Sequence, residues 1–349
     1  MWNVDIVILR AAALVPLAMA LLLPSGNAGA QECKYRGDLD ALYCDDNKDM
    51  VADTPKDPKK LKYPGTIVFT YSPVEDPAVY EKAFAPFTDY LGKCLVRKVV
   101  FHQVQSYAAE IEALRSGRLH VGGFSPGATI FAVNLAGAVP FGVVGNEKEY
   151  LGYNLIVVVK KSSPFMNLAD LKGKKVAHVA PASNSGHMAP MSLFPTEGLV
   201  PGKDYKILFS GKHDQSIMGV NSGDYDAAAV GSTVFERMVS RGQIKEDDFR
   251  VIYKSQKFPQ SSFAYAHDLD PALAAKMVKC FYDYRLPTEM QKTFDGADRF
   301  FPVTYQKDWE IVRKVAADSG EVFNRATFEK QNAKEAEAAA KKASETKKP

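Results

Sequence analysis

The chain has 349 residues, enough for two or three domains of about 100–200 residues each. Hydrophobic residues make up 46% and charged residues 24%, which excludes a disordered or collagen-like chain. Lys and Arg number 44 against 41 Asp and Glu, so the net charge is only +3, whereas a general nucleic-acid binder carries a larger, clustered basic excess. Residues 329–349 hold six Lys and four Glu, which accounts for two of the three excess charges. A site that binds an ion must therefore be local.

The first segment, residues 1–30, is typical of a secretory signal peptide. Arg10 precedes an uncharged apolar run over residues 11–23, and Ala28-Gly29-Ala30 gives a small-x-small cleavage pattern. An uncleaved anchor is the alternative, but this run is short for a bilayer core about 30 Å thick. We therefore expect cleavage after Ala30 and an exported, periplasmic product.

Two further segments lie outside the region of regular patterning. Residues 31–62 form an N-terminal extension, and its part from residue 45 onward, rich in Asp, Lys and Pro, predicts an exposed lead-in to the first core strand. Residues 328–349 are mostly Ala, Glu and Lys and offer no apolar face to bury. We expect this second segment to be a flexible, solvated tail.

Strands alternate with helices from residue 65 to about residue 325, which predicts an α/β fold with parallel sheets and helices on both faces. In chain order the predicted elements are a strand at 66–71, a helix at 77–91, a strand at 99–101, a helix at 107–115, a strand at 120–124, a helix at 126–135, a strand at 175–179, a helix at 185–194, a strand at 205–209, a helix at 214–220, a strand at 227–230, a helix at 233–241, a strand at 249–253 and a helix at 271–284.

Two long extended runs, residues 153–160 and 261–265, flank the second half of this pattern. A chain that leaves one α/β lobe, builds another and returns needs two such crossings. We therefore predict two discontinuous lobes with a cleft between them. Lobe I comprises residues 63–153 and 262–327, and lobe II comprises residues 154–261.

Export favours disulfides over metal ligation for the four cysteines. Cys33 and Cys44 are close together in the extension, where a bridge would staple a region with little core of its own. Cys94 and Cys280 lie in helix-like apolar contexts and could join distant parts of one lobe. The sequence leaves the three possible pairings open. No Cys-x-x-Cys spacing or His cluster indicates zinc, and we expect neither a metal nor a cofactor.

Ligands of open α/β sheets collect beside the loops that follow the strands. The loop at residues 181–187 carries Ser183, Asn184 and Ser185 just before a helix. Hydroxyl, amide and backbone N–H donors at a helix start form an anion site without formal charge. The alternative is an ordinary helix cap with no ligand.

Three other loops have the same strand-to-helix position. His213 lies in the loop at residues 210–214, where it is a donor for an oxyanion or, alternatively, a structural histidine. Tyr107 opens a helix of lobe I, where a tyrosine hydroxyl often lies at the edge of the core. Ser125 follows another strand, in a loop whose residues are typical of a turn and give little further indication of a binding site. Together the loops place Tyr and Ser on one lobe and Ser, Asn, Ser and His on the other.

In these motifs the chain resembles the phosphate, phosphite and phosphonate-type periplasmic substrate-binding proteins of ABC transporters, which have the type II binding-protein fold. The resemblance spans residues 66–304. Its matching stretches are TYSPVED at 70–76, YAAEIEAL at 107–114, GYNLI at 152–156, LADLKGK at 168–174, SNSG at 183–186, SGKHD at 210–214 and GDYDAAAV at 223–230.

The resemblance implies that the oxyanion contacts fall on Tyr107, Ser183, Asn184, Ser185 and His213, with Tyr153 at the hinge near the ligand substituent. It implies a monomer that delivers its ligand to an inner-membrane permease. Two departures matter. Asn184 replaces a threonine of the family's Ser-Thr-Ser-Gly pattern. Thr233 and Ser261 occupy the positions at which aminoalkylphosphonate binders carry carboxylates.

An ammonium group without a carboxylate partner is costly to bury. We therefore expect a ligand that lacks an amine: phosphate, phosphite or a simple alkylphosphonate. A periplasmic sensor that presents a bound oxyanion to a membrane histidine kinase is the alternative function, because the same pocket serves both. An arsenical ligand would favour a cysteine in the cleft, and none of the candidate loops contains one.

An enzyme is not supported. Ser183, His213 and Asp214 lack a Gly-x-Ser-x-Gly elbow and any group that orders the histidine. The glycine spacing at residues 122–127 lacks the Lys-Ser/Thr of a nucleotide-binding loop.

Overall fold

Two β-sheets dominate the computed structural model, which describes residues 33–333 and residue 336. The predicted signal peptide at residues 1–30 lies outside the described residues, as does most of the predicted tail. The strands are β1 (Thr66–Tyr71), β2 (Lys98–Phe101), β3 (Val121–Phe124), β4 (Ala138–Gly145), β5 (Gly152–Lys160), β6 (Lys175–His178), β7 (Lys206–Phe209), β8 (Ala227–Gly231), β9 (Phe249–Pro259), β10 (Ser262–Ala266) and β11 (Arg299–Pro302).

The α-helices lie between these strands and after them. They are α1 (Pro77–Leu95), α2 (Tyr107–Arg115), α3 (Pro126–Ala136), α4 (Ala189–Leu193), α5 (His213–Ser222), α6 (Ser232–Ser240), α7 (Pro271–Asp283), α8 (Thr288–Thr293), α9 (Tyr305–Asp308) and α10 (Glu310–Asp318). A π-helical turn, Asn184–Met188, precedes α4, and a 3-10 turn, Phe194–Glu197, follows it. The single helix expected at residues 185–194 is therefore three short helical pieces.

The sheet of lobe I has the strand order β11-β4-β10-β3-β1-β2. Strands β2, β1 and β3 are parallel, whereas β10, β4 and β11 run antiparallel to their neighbours. Ile67 and Phe69 of β1 are fully buried, and Phe69 packs against Phe84 and Phe87 of α1. The predicted helical spacing of aromatic residues in α1 thus supplies one side of the lobe I core.

The sheet of lobe II has the order β7-β6-β8-β5-β9. Strands β7, β6 and β8 are parallel to one another. The long strand β5 pairs antiparallel with β8 on one side and with the long strand β9 on the other. The expected parallel pairing is present for three strands of each sheet, but both sheets are mixed. The physical reason is the route of the chain, because the strands that lead into and out of lobe II lie side by side and point in opposite directions.

The chain passes between the lobes twice, from β4 to β5 and from β9 to β10. The predicted lobe boundary at residues 153/154 lies inside β5, the one at residues 261/262 lies just before β10, and a short stretch around residues 260–261 makes the return crossing. Strand β4 was not anticipated, because its sequence, AVPFGVVG, contains a proline and two glycines that argue against a strand.

The N-terminal extension packs on lobe I. The Asp40 N–H donates to the Asn134 carbonyl at 2.7 Å, and the Tyr43 hydroxyl donates to the Leu135 carbonyl at 3.3 Å. Asp45 and Ala52 are buried. The expectation of an exposed lead-in from residue 45 is thus wrong for these two residues, because the loop folds back on itself beside lobe I.

Two disulfides are formed, Cys33–Cys44 and Cys94–Cys280. The first closes the extension, and the second joins α1 to α7 within lobe I. The pairing that the sequence left open is therefore the one that bridges neighbours in the extension and distant parts of one lobe.

A further helical segment begins at Arg325, and Phe328 and Gln331 on it are buried. Phe328 packs against Phe131 of α3, with ring centroids 5.5 Å apart. The start of the segment predicted as a flexible tail is therefore packed against lobe I, because Phe328 supplies an apolar side chain that the predominant Ala, Glu and Lys composition did not suggest. None of the helices in the described part of the chain is long and apolar enough to cross a membrane.

Candidate functional site

A small cavity of about 40 Å³ lies between the two lobes. A single water needs about 10–15 Å³ on this scale, so the space has room for about three such groups, which fits a small oxyanion. Lobe I contributes Tyr71 and Ser125 to the wall. Lobe II contributes Ser183, Asn184, Ser185 and His213, and the return crossing contributes Gln260 and Ser261.

Several helical segments begin at this cavity. Pro126 is the first residue of α3, and Asn184 is the first residue of the π turn. His213 begins α5, and Thr233 lies in the first turn of α6. Each start carries N–H groups that have no partner within the helix, and the positive end of the helix dipole. Their convergence makes the cavity attractive to an anion without a formal positive charge.

The turn that follows β6 presents hydroxyl groups to the cavity. Ser183 caps the turn, and its Oγ accepts a hydrogen bond from the Gly186 N–H at 3.1 Å. A Cβ atom at Gly186 would lie 2.4 Å from the Cβ of Val179, so this close return of the chain onto the strand requires glycine. The Ser-Asn-Ser-Gly sequence is therefore needed both for the shape of the turn and for its donors.

His213 faces Ser183 as a neutral donor. The Gly231 N–H donates to His213 Nδ1 at 3.1 Å, which places the ring proton on Nε2. Nε2 lies 3.3 Å from Ser183 Oγ. Burial and, to a lesser extent, the charge of Arg237 lower the pKa of His213 to about 3, so the ring is uncharged at neutral pH. Ser183 can accept from His213 and Gly186 and donate its own proton into the cavity.

Tyr153 lies on β5 at the crossing into lobe II, and its hydroxyl accepts from Asn184 Nδ2 at 3.1 Å. Burial raises the pKa of Tyr153, so the phenol keeps its proton. Asn184 Oδ1 and Ser125 Oγ are buried in the cavity wall without a hydrogen-bond partner among the described residues. Reversal of the Asn184 amide would let Tyr153 donate to it and would turn two N–H donors toward the cavity.

Ser125 is positioned from behind by Ser72. The Ser72 Oγ accepts from the Ser125 N–H at 2.8 Å and donates to the buried carboxyl group of Glu110. Burial raises the pKa of Glu110 well above its ordinary value, and the Ser72 hydrogen bond lowers it only in part. This chain of bonds fixes the start of α3 at the cavity, and no side chain or backbone group within the described ranges bonds the Ser125 hydroxyl.

Six of the seven predicted site residues line the cavity: Ser125, Tyr153, Ser183, Asn184, Ser185 and His213. Tyr107 does not. Its ring opens α2 and is buried in the core of lobe I, because the first turn of that helix packs inward. Tyr71, the last residue of β1, reaches the cavity from lobe I in its place. Thr233 and Ser261, the positions singled out by the resemblance, both line the cavity.

Tyr71, Gln260 and Arg237 line the cavity and were not predicted. Tyr71 could have been found from its position at the carboxyl end of the first predicted strand. Arg237 lies one helical turn after Thr233, on the same face of α6. The sequence gives no comparable signal for Gln260.

Arg237 is the one lining residue, among those described, with a formal charge, and no Asp or Glu lines the cavity. Its Nε donates to Glu75 Oε1 at 2.9 Å, and its Nη1 lies 3.7 Å from Asp295 Oδ2. Burial alone would lower the pKa of Arg237, but Tyr80, Glu75 and Asp295 outweigh it and raise that pKa. In the described residues no group of three or more His, Cys, Asp or Glu side chains is arranged to hold a metal ion.

Two discontinuous α/β lobes around an anion-directed cavity define a two-lobed receptor of the type II periplasmic binding-protein fold. A solved structure of PhnD1 from Prochlorococcus marinus in complex with methylphosphonate shares the fold, with a TM-score of 0.66 and 20% identity over 74% of this chain and 99% of that one. A binding protein component of an ABC phosphonate transporter from Pseudomonas aeruginosa also matches, with a TM-score of 0.67 and 18% identity over 81% of this chain and 99% of that one.

The sequence matches a family described as the periplasmic substrate-binding protein of phosphonate ABC transporters over residues 69–309, and the chain belongs to this family. It is 28% identical over 279 residues to the phosphate-import protein PhnD of Mycolicibacterium smegmatis, covering 76% of this chain and 87% of that protein. Members of the family are transport components and not enzymes, which agrees with the prediction from the sequence.

Proposed function

We propose that this protein binds phosphate, phosphite or a simple alkylphosphonate between its lobes and delivers it to an inner-membrane ABC permease. In this proposal it is exported by cleavage after Ala30 and acts as a monomer. Relatives support the ligand class: the Mycolicibacterium protein is named for phosphate import, and the Prochlorococcus structure holds methylphosphonate. No feature of the described residues favours the sensor alternative.

One observation carries the choice of ligand. Uncharged donors and helix starts meet in the cavity, while Thr233 and Ser261 supply hydroxyls at the positions where an amine would need carboxylates. An oxyanion finds donors in Ser183 and Ser185, and in His213 where the oxyanion replaces Ser183 Oγ as the acceptor of the Nε2 proton. Each hydrogen bond gains strength because closure excludes water. An ammonium group would be buried without a countercharge.

Calorimetric titration of ligand-stripped protein tests the proposal, with phosphate, phosphite, methylphosphonate and 2-aminoethylphosphonate as probes. We expect at least one of the first three to bind, and 2-aminoethylphosphonate to bind at least about 100-fold more weakly than the best of them, the equivalent of burying one unpaired polar group. If none of the four binds, the ligand class is wrong. If the amine binds best, the reading of Thr233 and Ser261 is wrong.

A further inference from the structure

A second set of groups spans the two lobes beside the cavity. We call it the interlobe ion network; it consists of Glu75, Tyr80 and Asp295 of lobe I and Arg237 and Arg241 of lobe II. Glu75 lies between β1 and α1, at the heart of the network. Its Oε1 accepts from Arg237 Nε at 2.9 Å and from the Tyr80 hydroxyl at 2.9 Å, and its Oε2 accepts from Arg241 Nη1 at 2.5 Å.

The charged groups of the interlobe ion network are paired with one another and largely buried. Tyr80 also accepts from Arg237 Nη2 at 3.3 Å, so Glu75, Tyr80 and Arg237 form a closed ring of hydrogen bonds. Two carboxylates face two guanidinium groups, and the formal charges cancel. The Glu75 side chain is only 2% exposed and that of Arg237 8%, so water contributes little to either. A buried charge pair stabilises a contact only with this degree of satisfaction.

The network depends on the lobes being close together. Glu75 and Arg237 are 162 positions apart, and each is held by its own lobe. Two further bonds cross at the same place: the His213 N–H donates to the Val74 carbonyl at 3.0 Å, and the Asp76 N–H donates to Asp214 Oδ2 at 3.2 Å. Separation of the lobes would break all of these bonds at once.

The network also touches the ligand cavity and the return crossing. Arg237 lines the cavity, and Gln260 Nε2 at the crossing donates to Asp295 Oδ2 at 2.8 Å. Arg241 does not line the cavity, and 28% of its side chain is exposed. Its contact with Glu75 is therefore part of the lobe–lobe contact and not of ligand binding.

We propose that Glu75, with Arg237 and Arg241, holds the lobes in the closed arrangement and thereby sets how long the ligand stays bound. The proposal rests on the proposed function for its ligand but not for the lobe contact itself. Any interaction made only in the closed form shifts the equilibrium toward that form. A ligand enclosed by both lobes leaves only after they separate, so the effect falls on the dissociation rate. Glu75 and Arg241 are thus positioning residues.

Stopped-flow dissociation of inorganic phosphate and of methylphosphonate tests this in the full exported protein. We expect Glu75→Gln and Arg241→Gln each to raise the dissociation rate at least about tenfold while the association rate stays within about threefold, the usual division for such contacts. Because the two residues share one bond, the double variant should fall short of the product of the single effects. Thermal unfolding checks that the variants fold. If Glu75→Gln fails to fold, Arg241→Gln still tests the proposal, because the Arg241 side chain is more exposed than that of Glu75.

Lys245→Gln is the matched control for Arg241→Gln, since it also removes one positive charge from lobe II, but at an exposed position outside the network. Dissociation rates of Glu75→Gln and Arg241→Gln equal to that of Lys245→Gln would overturn the proposal. If the wild-type protein binds neither these probes nor phosphite, the proposed function fails, and small-angle X-ray scattering of the ligand-free proteins then tests the network alone. A larger radius of gyration in Arg241→Gln than in Lys245→Gln supports the network, and equal values reject it.

Discussion

The wall of the ligand cavity and the interlobe ion network lie side by side but use opposite chemistry. The cavity wall of lobe II offers neutral donors, namely two serine hydroxyls, an amide and an uncharged histidine. The network next to it places two carboxylates against two guanidinium groups. Arg237 belongs to both, yet its charge is already met by Glu75 and Asp295.

The difference separates two tasks that a receptor has to perform. Neutral donors in a cavity that excludes water bind an anion strongly and need no counterion when the cavity is empty. Formal charges are used where the lobes meet, and there each charge has a partner supplied by the other lobe. The bonds to the ligand and the bonds that hold the lobes together are therefore made largely by different residues, with Arg237 in both sets, so a substitution such as Arg241→Gln can weaken the lobe contact without removing a group from the cavity wall.

Substitution of Gly127 should cause the largest loss of ligand affinity, because a side chain at this position would keep the lobes apart. It tests whether the neutral donors of the cavity wall bind the ligand only when the lobes are closed. A Cβ atom on Gly127 of α3 would lie 2.5 Å from the Ala182 carbonyl oxygen and 3.0 Å from the Asn184 N atom of lobe II. We expect Gly127→Ala to weaken binding about 100-fold, the equivalent of the roughly 3 kcal/mol that overpacking costs. Calorimetry measures the affinity, and Gly142→Ala, where the nearest atom is 3.6 Å away, is the control. Equal affinities of the two variants would contradict this account.

Loss of His213 tests the neutral donors directly. We expect His213→Ala to weaken phosphate or methylphosphonate binding by at least about 1.5 kcal/mol, or more than tenfold, since a hydrogen bond to a charged ligand is lost. His120 offers a matched control in lobe I, because it too accepts a backbone N–H, from Val68 at 2.9 Å. His120→Ala should lower thermal stability without weakening binding. An unchanged affinity in His213→Ala would remove this residue from the site.

The buried histidines of lobe II predict acid sensitivity. Burial lowers the pKa of His178 well below its usual value, and the neighbouring His187 lowers it further. The unfolded chain therefore binds a proton that the folded protein rejects. The resulting stability is complete above the unfolded pKa of about 6.5 and falls as the pH drops below it, by about 1.4 kcal/mol per pH unit for each such group.

Denaturant unfolding between pH 4.5 and 7.5 measures this slope. We expect His178→Gln to lower the slope of unfolding free energy against pH by the equivalent of about one bound proton. The same change at the exposed His102 is the control and should leave the slope nearly unchanged. An unchanged slope in His178→Gln would show that the buried ring does not govern the acid response.

Asn184 gives the smallest expected effect. Asn184→Thr restores the family's hydroxyl but removes the amide that bonds Tyr153. One donor replaces another, so we expect the affinity for phosphate to change by less than about threefold, or 0.7 kcal/mol. Competition calorimetry with methylphosphonate and phosphate is the measurement. A tenfold change in the preference between these two ligands would instead make Asn184 a determinant of specificity.

Patterns within one segment were predictable from the sequence. The helix from Tyr107 to Arg115 and the strand from Thr66 to Tyr71 have the predicted bounds, because their apolar spacing and flanking turn residues are local signals. The rule that ligands gather after strands led to five cavity residues in loops, in addition to Tyr153 on its strand. It also explains Tyr71, which was overlooked at the end of β1.

Contacts between distant segments were not predictable. Tyr107 and Tyr71 are both aromatic residues beside polar turns, and only packing decides which of them faces the cavity. The pairing of Glu75 with Arg237 and Arg241 joins a loop of one lobe to a helix of the other. A single sequence carries no signal for such a pair, because charged residues at these positions are equally compatible with a solvated surface.

The return of the chain to its first lobe has a consequence for biosynthesis. All five strands of lobe II lie within one uninterrupted stretch from β5 to β9, whereas β10 of lobe I is inserted between β3 and β4 only after that stretch. A chain that emerges from its amino end can complete the second sheet while the first still lacks two strands. The bridge between Cys94 and Cys280 spans 186 positions and closes only after α7 has appeared. This bridge can form before β11, α9 and α10 have appeared, so its oxidation reports the packing of α7 against α1.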